Sequence, residues 1–503
     1  MTKRPKSETA LPRLSQERAR PSSYARLAVT DGIVALGVIA AFSGLAGAFD
    51  DSGDALFLGG FGVVATTFGV AAHRRLDRRL RPAPGRVLSG LALSWLILVV
   101  IGMGIYLATG TTDRVDNALV ESAAGFSTTS VTTLDPSTLT VPMQLFRAGT
   151  QWLGGLIGII VGVVALPLVF RGSMLTGAAV GSGERLNPNA TIAQQRVSKI
   201  YLVFTLLMFG GYVASGLGAL DSIVHAFTTV STGGFSSHAD SFVGFGSGAR
   251  TVAVVGMTVA GSSYFVIWWA LRGRIAPLWR STELRVYVGL LAAGSVLVAL
   301  SADGVGLGEA AFMATSALST TGYAIGDWTL LDNSVLMLLL ILIGTGSMSG
   351  SAGGGLRVAR AWTLVGFARR ELRRQLDPHS VAVIKQGGAA IGEPVLERTT
   401  GYQIAHLGLS GLAAFLLAAA DVDVVGAIYT GISVLSTHGP GVGTDAFGNL
   451  EPLSPLARLF LTPFMLAGRL TILPLLLAVS FAFRVEKGAI RRARRISTRA
   501  IRR

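Results

Sequence analysis

The sequence predicts an all-α polytopic membrane protein. Two extra N-terminal transmembrane helices precede four M1–pore-loop–M2 repeats, which are arranged around one central pore. Three observations predict this architecture. Half of the 503 residues are hydrophobic and only 14% are charged, well under the roughly 25% of a soluble domain. Apolar stretches of about 20 residues, enough to cross a hydrocarbon core, recur along the chain. The basic residues between them crowd into alternate connections, as in loops retained on the cytoplasmic side.

Taken in order, residues 1–26 form a polar, basic tail with no cleavable-signal pattern, expected to be cytoplasmic. Residues 27–80 hold two spans. The acidic "FDDSGD" between them carries no Lys or Arg, whereas "HRRLDRRLRP" follows them, so the first turn lies outside and the second inside. Four repeats follow at 81–172, 196–275, 284–366 and 399–484. A basic cytoplasmic linker at 367–398 separates the last two, and residues 485–503 are a basic cytoplasmic tail. Both termini are therefore expected inside a bacterial inner (plasma) membrane.

Each repeat begins and ends inside, which leaves a Gly/Ser/Thr-rich segment between its two spans on the outer side. These segments are "TTSVT" (128–132), "TGGFS" (232–236), "TTGYA" (320–324) and "THGPG" (437–441). They are too short to be free loops, so each is expected to dip into the membrane and return. Non-helical backbone at that depth is tolerated only where protein or water satisfies its polar groups, so the four should converge on a shared aqueous axis. Their central positions are Ser130, Gly234, Gly322 and Gly439. About thirteen residues earlier stand Asn117, Asp221, Glu309 and Gly426, the first three suited to a helix start.

A ring of backbone carbonyls can replace the hydration shell of a cation, and glycine permits the backbone conformations and close approach that this needs. The expected ion-binding residues are Thr129, Ser130 and Val131; Gly233, Gly234 and Phe235; Thr321, Gly322 and Tyr323; and His438, Gly439 and Pro440. Five or six residues beyond each centre lies an aspartate: Asp135, Asp240, Asp327 and Asp445. These either form an outer ring that concentrates cations or cap turns; the sequence leaves both readings open.

Other classes find little support. There is no cysteine, the six histidines have no ligand spacing, and no Ser/His/Asp order, HExxH or Walker motif is present. The expectation is a non-enzyme without a cofactor, in which a monovalent ion at the filter is the only metal. The net charge of +15 sits in connections and tails, which argues for a membrane surface and against nucleic acid.

These motifs resemble the Trk/Ktr/HKT superfamily of potassium transporters, most closely its bacterial TrkH branch. "STGGFS" and "LSTTGYAIGDW" are similar to its second and third filter segments, and "GPGVG" to the end of the fourth. "QWLGG" (151–155), "ALRGR" (270–274), "RRELRRQLDPHSVAVIK" (369–385) and "LAGRL" (466–470) fall where the family has similar strings. The resemblance implies K+ uptake through a four-segment filter, a homodimer, membership of a symporter family, and gating by a cytosolic nucleotide-binding RCK-type subunit (TrkA/KtrA-like). Ser130 departs from the glycine usual in bacterial relatives. In plant members serine there accompanies Na+ permeation, so a Na+-preferring or Na+/K+ non-selective transporter of the same fold is the alternative. His438 either repels cations when protonated or lies neutral behind the filter.

The run "LIGTGSMSGSAGGGLRVAR" (342–360) interrupts the second span of the third repeat. The resemblance implies that it is an intramembrane gate, with Gly344, Gly346, Gly350, Gly353, Gly354 and Gly355 supplying its small side chains. Arg469 lies in the last apolar span, where insertion costs about 3 kcal/mol. It should therefore face the pore beneath the filter or a structural ion partner, and the family's matching arginine favours the former.

Overall fold

The computed structural model describes residues 22–48, 52–76, 84–165, 190–302, 304–377, 379, 383–386, 389–440 and 448–470. Among them, seven helices are long and apolar enough to cross a membrane: 26–46, 53–74, 90–108, 141–163, 192–214, 282–301 and 393–418. Their outward faces expose Leu56, Val64, Leu207 and Leu300, as lipid contact requires. The first two spans cross closely through small residues. A Cβ on Gly62 would run into the backbone of Ala41, and one on Gly44 into that of Gly59, so the two backbones touch as in other small-residue membrane interfaces.

The four-repeat architecture is present, and among the described residues the second spans of the second and third repeats are broken. In the second repeat, Ser247–Ala260 and Tyr264–Leu271 meet at a bend of 103°. In the third, Asn333–Thr345 ends at the glycine run and helix resumes at Val358–Leu376. In the fourth, Pro455–Leu470 is described and its continuation is outside the described residues.

Within each repeat a short helix dips between the spans: Val115–Ser127, Ala219–Val230, Leu307–Ser319 and Val424–Leu435. Asn117, Asp221, Glu309 and Gly426 are each the third residue of their helix. Asp221 and Glu309 place acidic groups in the first turn, where the helix dipole favours them. The fourth helix takes its start from a different residue, because the Asp423 side chain accepts the N–H of Gly426 at 2.9 Å. The last residues of all four helices are buried, so their C-terminal carbonyls converge inside the protein.

Candidate functional site

Each short helix ends in the same backbone device. Thr128, Thr232, Thr320 and Thr437 are all left-handed, with φ of 55°, 52°, 57° and 59°. A β-branched residue is strained there, at a cost on the order of 1–3 kcal/mol each, and four equivalent copies mark a geometry imposed by the site. Two residues on come the expected centres. Gly234, Gly322 and Gly439 are also left-handed, with φ of 76°, 87° and 110°, whereas Ser130 is not. The first segment therefore turns differently, as its side chain demands.

The four segments close a ring. Ser130 Oγ donates to the carbonyl of Gly234 at 2.9 Å, joining the first segment to the second. Tyr323 Oη lies 2.7 Å from Thr228 Oγ1 and 3.0 Å from Thr229 Oγ1, and Phe242 N–H donates to the Ala324 carbonyl at 2.9 Å, joining second to third. The Trp328 and His438 rings lie 5.3 Å apart, joining third to fourth. Ser130 N–H donates to the His438 carbonyl at 3.0 Å, and Thr132 N–H to that of Gly448 at 3.0 Å, which completes the circuit. A Cβ on Gly234 would overlap the Thr321 carbonyl, and one on Gly439 the Ser130 backbone. The centres thus meet on one axis.

The flanking residues are placed as follows. Thr129 Oγ1 pairs with Ser127 Oγ at 2.8 Å and Thr321 Oγ1 with Ser319 Oγ at 2.7 Å, so both hydroxyls are spent within their own segments. Val131 and Phe235 are buried. Gln151, from the "QWLGG" string, spans two segments: its Nε2 donates to the Thr129 carbonyl of the first at 3.4 Å and to the Gly233 carbonyl of the second at 2.8 Å, and its Oε1 accepts Phe235 N–H at 3.1 Å. His438 is fully buried, with Nδ1 3.3 Å from both Ser433 Oγ and the Pro440 carbonyl. Its ring lies behind the fourth segment.

Among the aspartates, Asp135 caps the turn Pro136–Thr138, its Oδ1 accepting from Ser137 N–H at 2.9 Å and Ser137 Oγ at 2.7 Å. Those two bonds hold its carboxyl below the usual aspartate value. Asp135 also lines a cavity of about 170 Å³ that reaches Ser130, Gly234 and His238. Asp240 and Asp327 are half-buried, and Asp445 is outside the described residues.

The glycine run packs directly against this ring. Gly354 N–H donates to Thr320 Oγ1 at 2.8 Å. A Cβ on Gly353 would meet the Ser319 carbonyl and one on Gly354 the Ser436 carbonyl, so both positions require glycine for close approach. Gly346, Gly350 and Gly355 are left-handed. Gly344 sits in the helix before the loop, where an added Cβ makes only ordinary contact with Ile432.

The loop also fills the break in the second repeat. Met348 N–H donates to the Gly261 carbonyl at 2.9 Å, Ala352 N–H to that of Ala260 at 3.3 Å, and Tyr264 N–H to that of Gly350 at 3.0 Å. Backbone groups freed by the 103° bend, costly to leave unpaired at membrane depth, are satisfied by the loop. Arg469 is buried and donates through Nη1 to the Ala352 carbonyl and through Nη2 to that of Gly154 at 3.0 Å. Its guanidinium, placed in the sequence reading under the filter or in an ion pair, bonds here to carbonyls of the glycine loop and of the first repeat.

Among the charged residues that escaped the sequence reading, three bear directly on the filter segments and the glycine loop. Glu121 and Arg147 form a buried pair at 3.1 Å. Glu283, half-buried at the start of Thr282–Ser301, accepts Ser349 N–H at 2.6 Å and Ala359 N–H at 3.3 Å, anchoring both ends of the glycine loop. The available signal was a lone charge inside or beside an apolar run, which is expensive unless partnered.

Four re-entrant helices whose strained termini close a ring in a multi-pass helical protein place it in the class of pore-loop transport proteins. The chain belongs to the TrkH family, described as cation transport protein, which it matches over residues 61–281 and 278–490. It is 28% identical over 431 residues to the Trk system potassium uptake protein TrkH of Salmonella typhimurium, covering 82% of this chain and 88% of that protein. It is 30% identical over 387 residues to the Trk system potassium uptake protein TrkI of Halomonas elongata, covering 73% and 77%. The crystal structure of the potassium transporter TrkH from Vibrio parahaemolyticus superposes with a TM-score of 0.80 at 23% identity, covering 90% of this chain and 98% of that one.

Proposed function

We propose that this chain is a channel-like monovalent cation translocation subunit that mediates K+ uptake across the bacterial plasma membrane. The observation that carries the reading is the closed ring of four left-handed threonine turns, centred on Ser130, Gly234, Gly322 and Gly439. Such a ring presents backbone carbonyls to one axis at the buried, electronegative ends of four helices, which suits a dehydrating cation and no chemical step. The glycine loop beneath the ring acts as the gate, and Arg469 holds it and adds a positive charge on the path.

The names of the relatives support K+ as the cargo. Their Trk system naming also supports work with other Trk subunits, here an RCK-type cytosolic nucleotide-binding partner, and the resemblance supports a homodimer with both termini cytoplasmic. Growth rescue of a K+-uptake-deficient bacterium on limiting K+ tests the proposal; failure of a correctly inserted, co-expressed protein to rescue would overturn it. A Na+-permeable variant of the same function is favoured by one observation: Ser130 keeps a hydroxyl 2.9 Å from a central carbonyl. Reversal potentials in liposomes with K+ and Na+ on opposite sides separate the two.

A further inference from the structure

Resting on the filter reading above, we infer that Glu121 and Arg147 are a positioning pair for the first two filter segments, and that Glu121 also serves as the counter-charge that lets a guanidinium sit beside the cation path.

Both side chains are almost completely buried. Glu121 belongs to the first re-entrant helix and grips the first segment: its Oε1 accepts Thr132 Oγ1 and Thr133 N–H, each at 2.5 Å. Arg147 comes from the long helix Val141–Ile160 and grips the second segment. Its Nη1 donates to the Ser236 carbonyl at 3.3 Å, and its guanidinium carbon lies 3.5 Å from the centre of the Phe235 ring. The bond from Arg147 Nε to Glu121 Oε2 at 3.1 Å therefore ties the two segments together.

The placement has an electrostatic consequence. Arg147 lines the same cavity as Ser130, Gly234 and Phe235, where an unbalanced positive charge would oppose cation entry. Glu121 cancels it at contact distance. A neutral residue could fill the space, but a planar guanidinium supplies donors in several directions and a face for Phe235 at once. The pair gives a rigid brace without a net charge.

The test is ion uptake by the full-length protein in proteoliposomes, with the K+ half-saturation concentration and the K+/Na+ permeability ratio read together. Glu121→Gln keeps the shape and leaves the guanidinium unbalanced, so half-saturation should rise about tenfold. Arg147→Met leaves the carboxylate alone and should shift half-saturation the opposite way, while the permeability ratio falls because the second segment is loosened. Arg147→Lys keeps the charge without the planar brace, so half-saturation should hold within about twofold and the ratio should fall. The double variant Glu121→Gln/Arg147→Met should return half-saturation to near its starting value.

Opposite shifts from the two single neutralisations support the inference, because loss of structure alone moves both the same way. Half-saturation raised by both, or by neither, overturns it. If Glu121→Gln fails to insert, Arg147→Met and Arg147→Lys decide the matter, and an unchanged permeability ratio in both removes the positioning role. Robust K+ flux through Gly234→Val would instead defeat the filter reading itself, whatever the Glu121 variant does.

Discussion

The backbone N–H of Gly354 donates to the hydroxyl of Thr320 at 2.8 Å, so the glycine-rich loop hangs from the very residue that turns the third re-entrant segment. In the proposed mechanism the gate and the filter share this hydrogen bond. The loop is also held by the broken helix of the second repeat through the Ala260 and Gly261 carbonyls and the Tyr264 N–H. Opening must therefore re-pair those groups or let water reach them, since buried backbone groups left unpaired cost about 1–3 kcal/mol each.

Gly354→Val follows directly from that geometry. The new side chain would collide with the Ser436 carbonyl and Thr437 Oγ1, displacing the loop from its seat. Basal K+ flux in proteoliposomes lacking any partner should rise about tenfold, equivalent to roughly 1.4 kcal/mol taken from the closed state. Flux equal to wild type would show that the loop does not close the path.

Arg469→Met removes two hydrogen bonds, to the Ala352 and Gly154 carbonyls, together with a buried positive charge. Methionine fits a membrane helix without cost, so insertion should be retained while basal flux increases about tenfold or more. A variant that inserts normally and conducts less would reverse the assigned role.

Glu283→Gln retains the shape of the anchor and, in a buffer alkaline enough to ionise the carboxyl, exchanges a charged acceptor for a neutral one at Ser349 N–H and Ala359 N–H. Charge-assisted bonds are about twice as strong as neutral ones, so the loop should exchange amide hydrogens faster around Ser349 while the filter segments stay as protected as before. Hydrogen exchange read by mass spectrometry checks this, and equal protection of the loop in both proteins would remove Glu283 as an anchor.

Ser130→Gly is expected to raise the K+/Na+ permeability ratio. The substitution frees the Gly234 carbonyl from its 2.9 Å bond and permits the left-handed conformation that the other three centres adopt. Bi-ionic reversal potentials measure the ratio directly; no change would mean that the serine hydroxyl takes no part in selection.

Gly322→Val should abolish flux in a protein that still inserts. Its backbone sits at φ 87°, strained for any side chain with a Cβ, and the added atoms would meet the His438 carbonyl. Measurable K+ flux at wild-type level would show that this position is not at the centre of the path.

The repeats were legible in the sequence because lipid enforces them. Spans of sufficient apolar length, alternating basic connections and four Gly/Ser/Thr segments follow from the cost of placing charge or unpaired backbone in hydrocarbon, and that cost is local to each segment. The threonine before each centre was visible, yet its left-handed turn was not, since a β-branched residue avoids that conformation unless surrounding contacts over-determine it. The start of the fourth re-entrant helix was similarly missed, because Asp423 lies three residues before the aligned Gly426.

By itself the sequence determined a multi-pass helical protein with four re-entrant segments, the glycine centres, a glycine-rich interruption and one arginine that had to find company inside the membrane. Tertiary structure alone decided which groups meet: Ser130 with Gly234 across 104 positions, Gln151 with Gly233 across 82, Arg469 with Gly154 across 315. Hydropathy reports the solvent each residue faces, one segment at a time. Hydrogen-bond partners depend on how the segments are arranged around the axis, and burial made those distant pairings obligatory without naming them in advance.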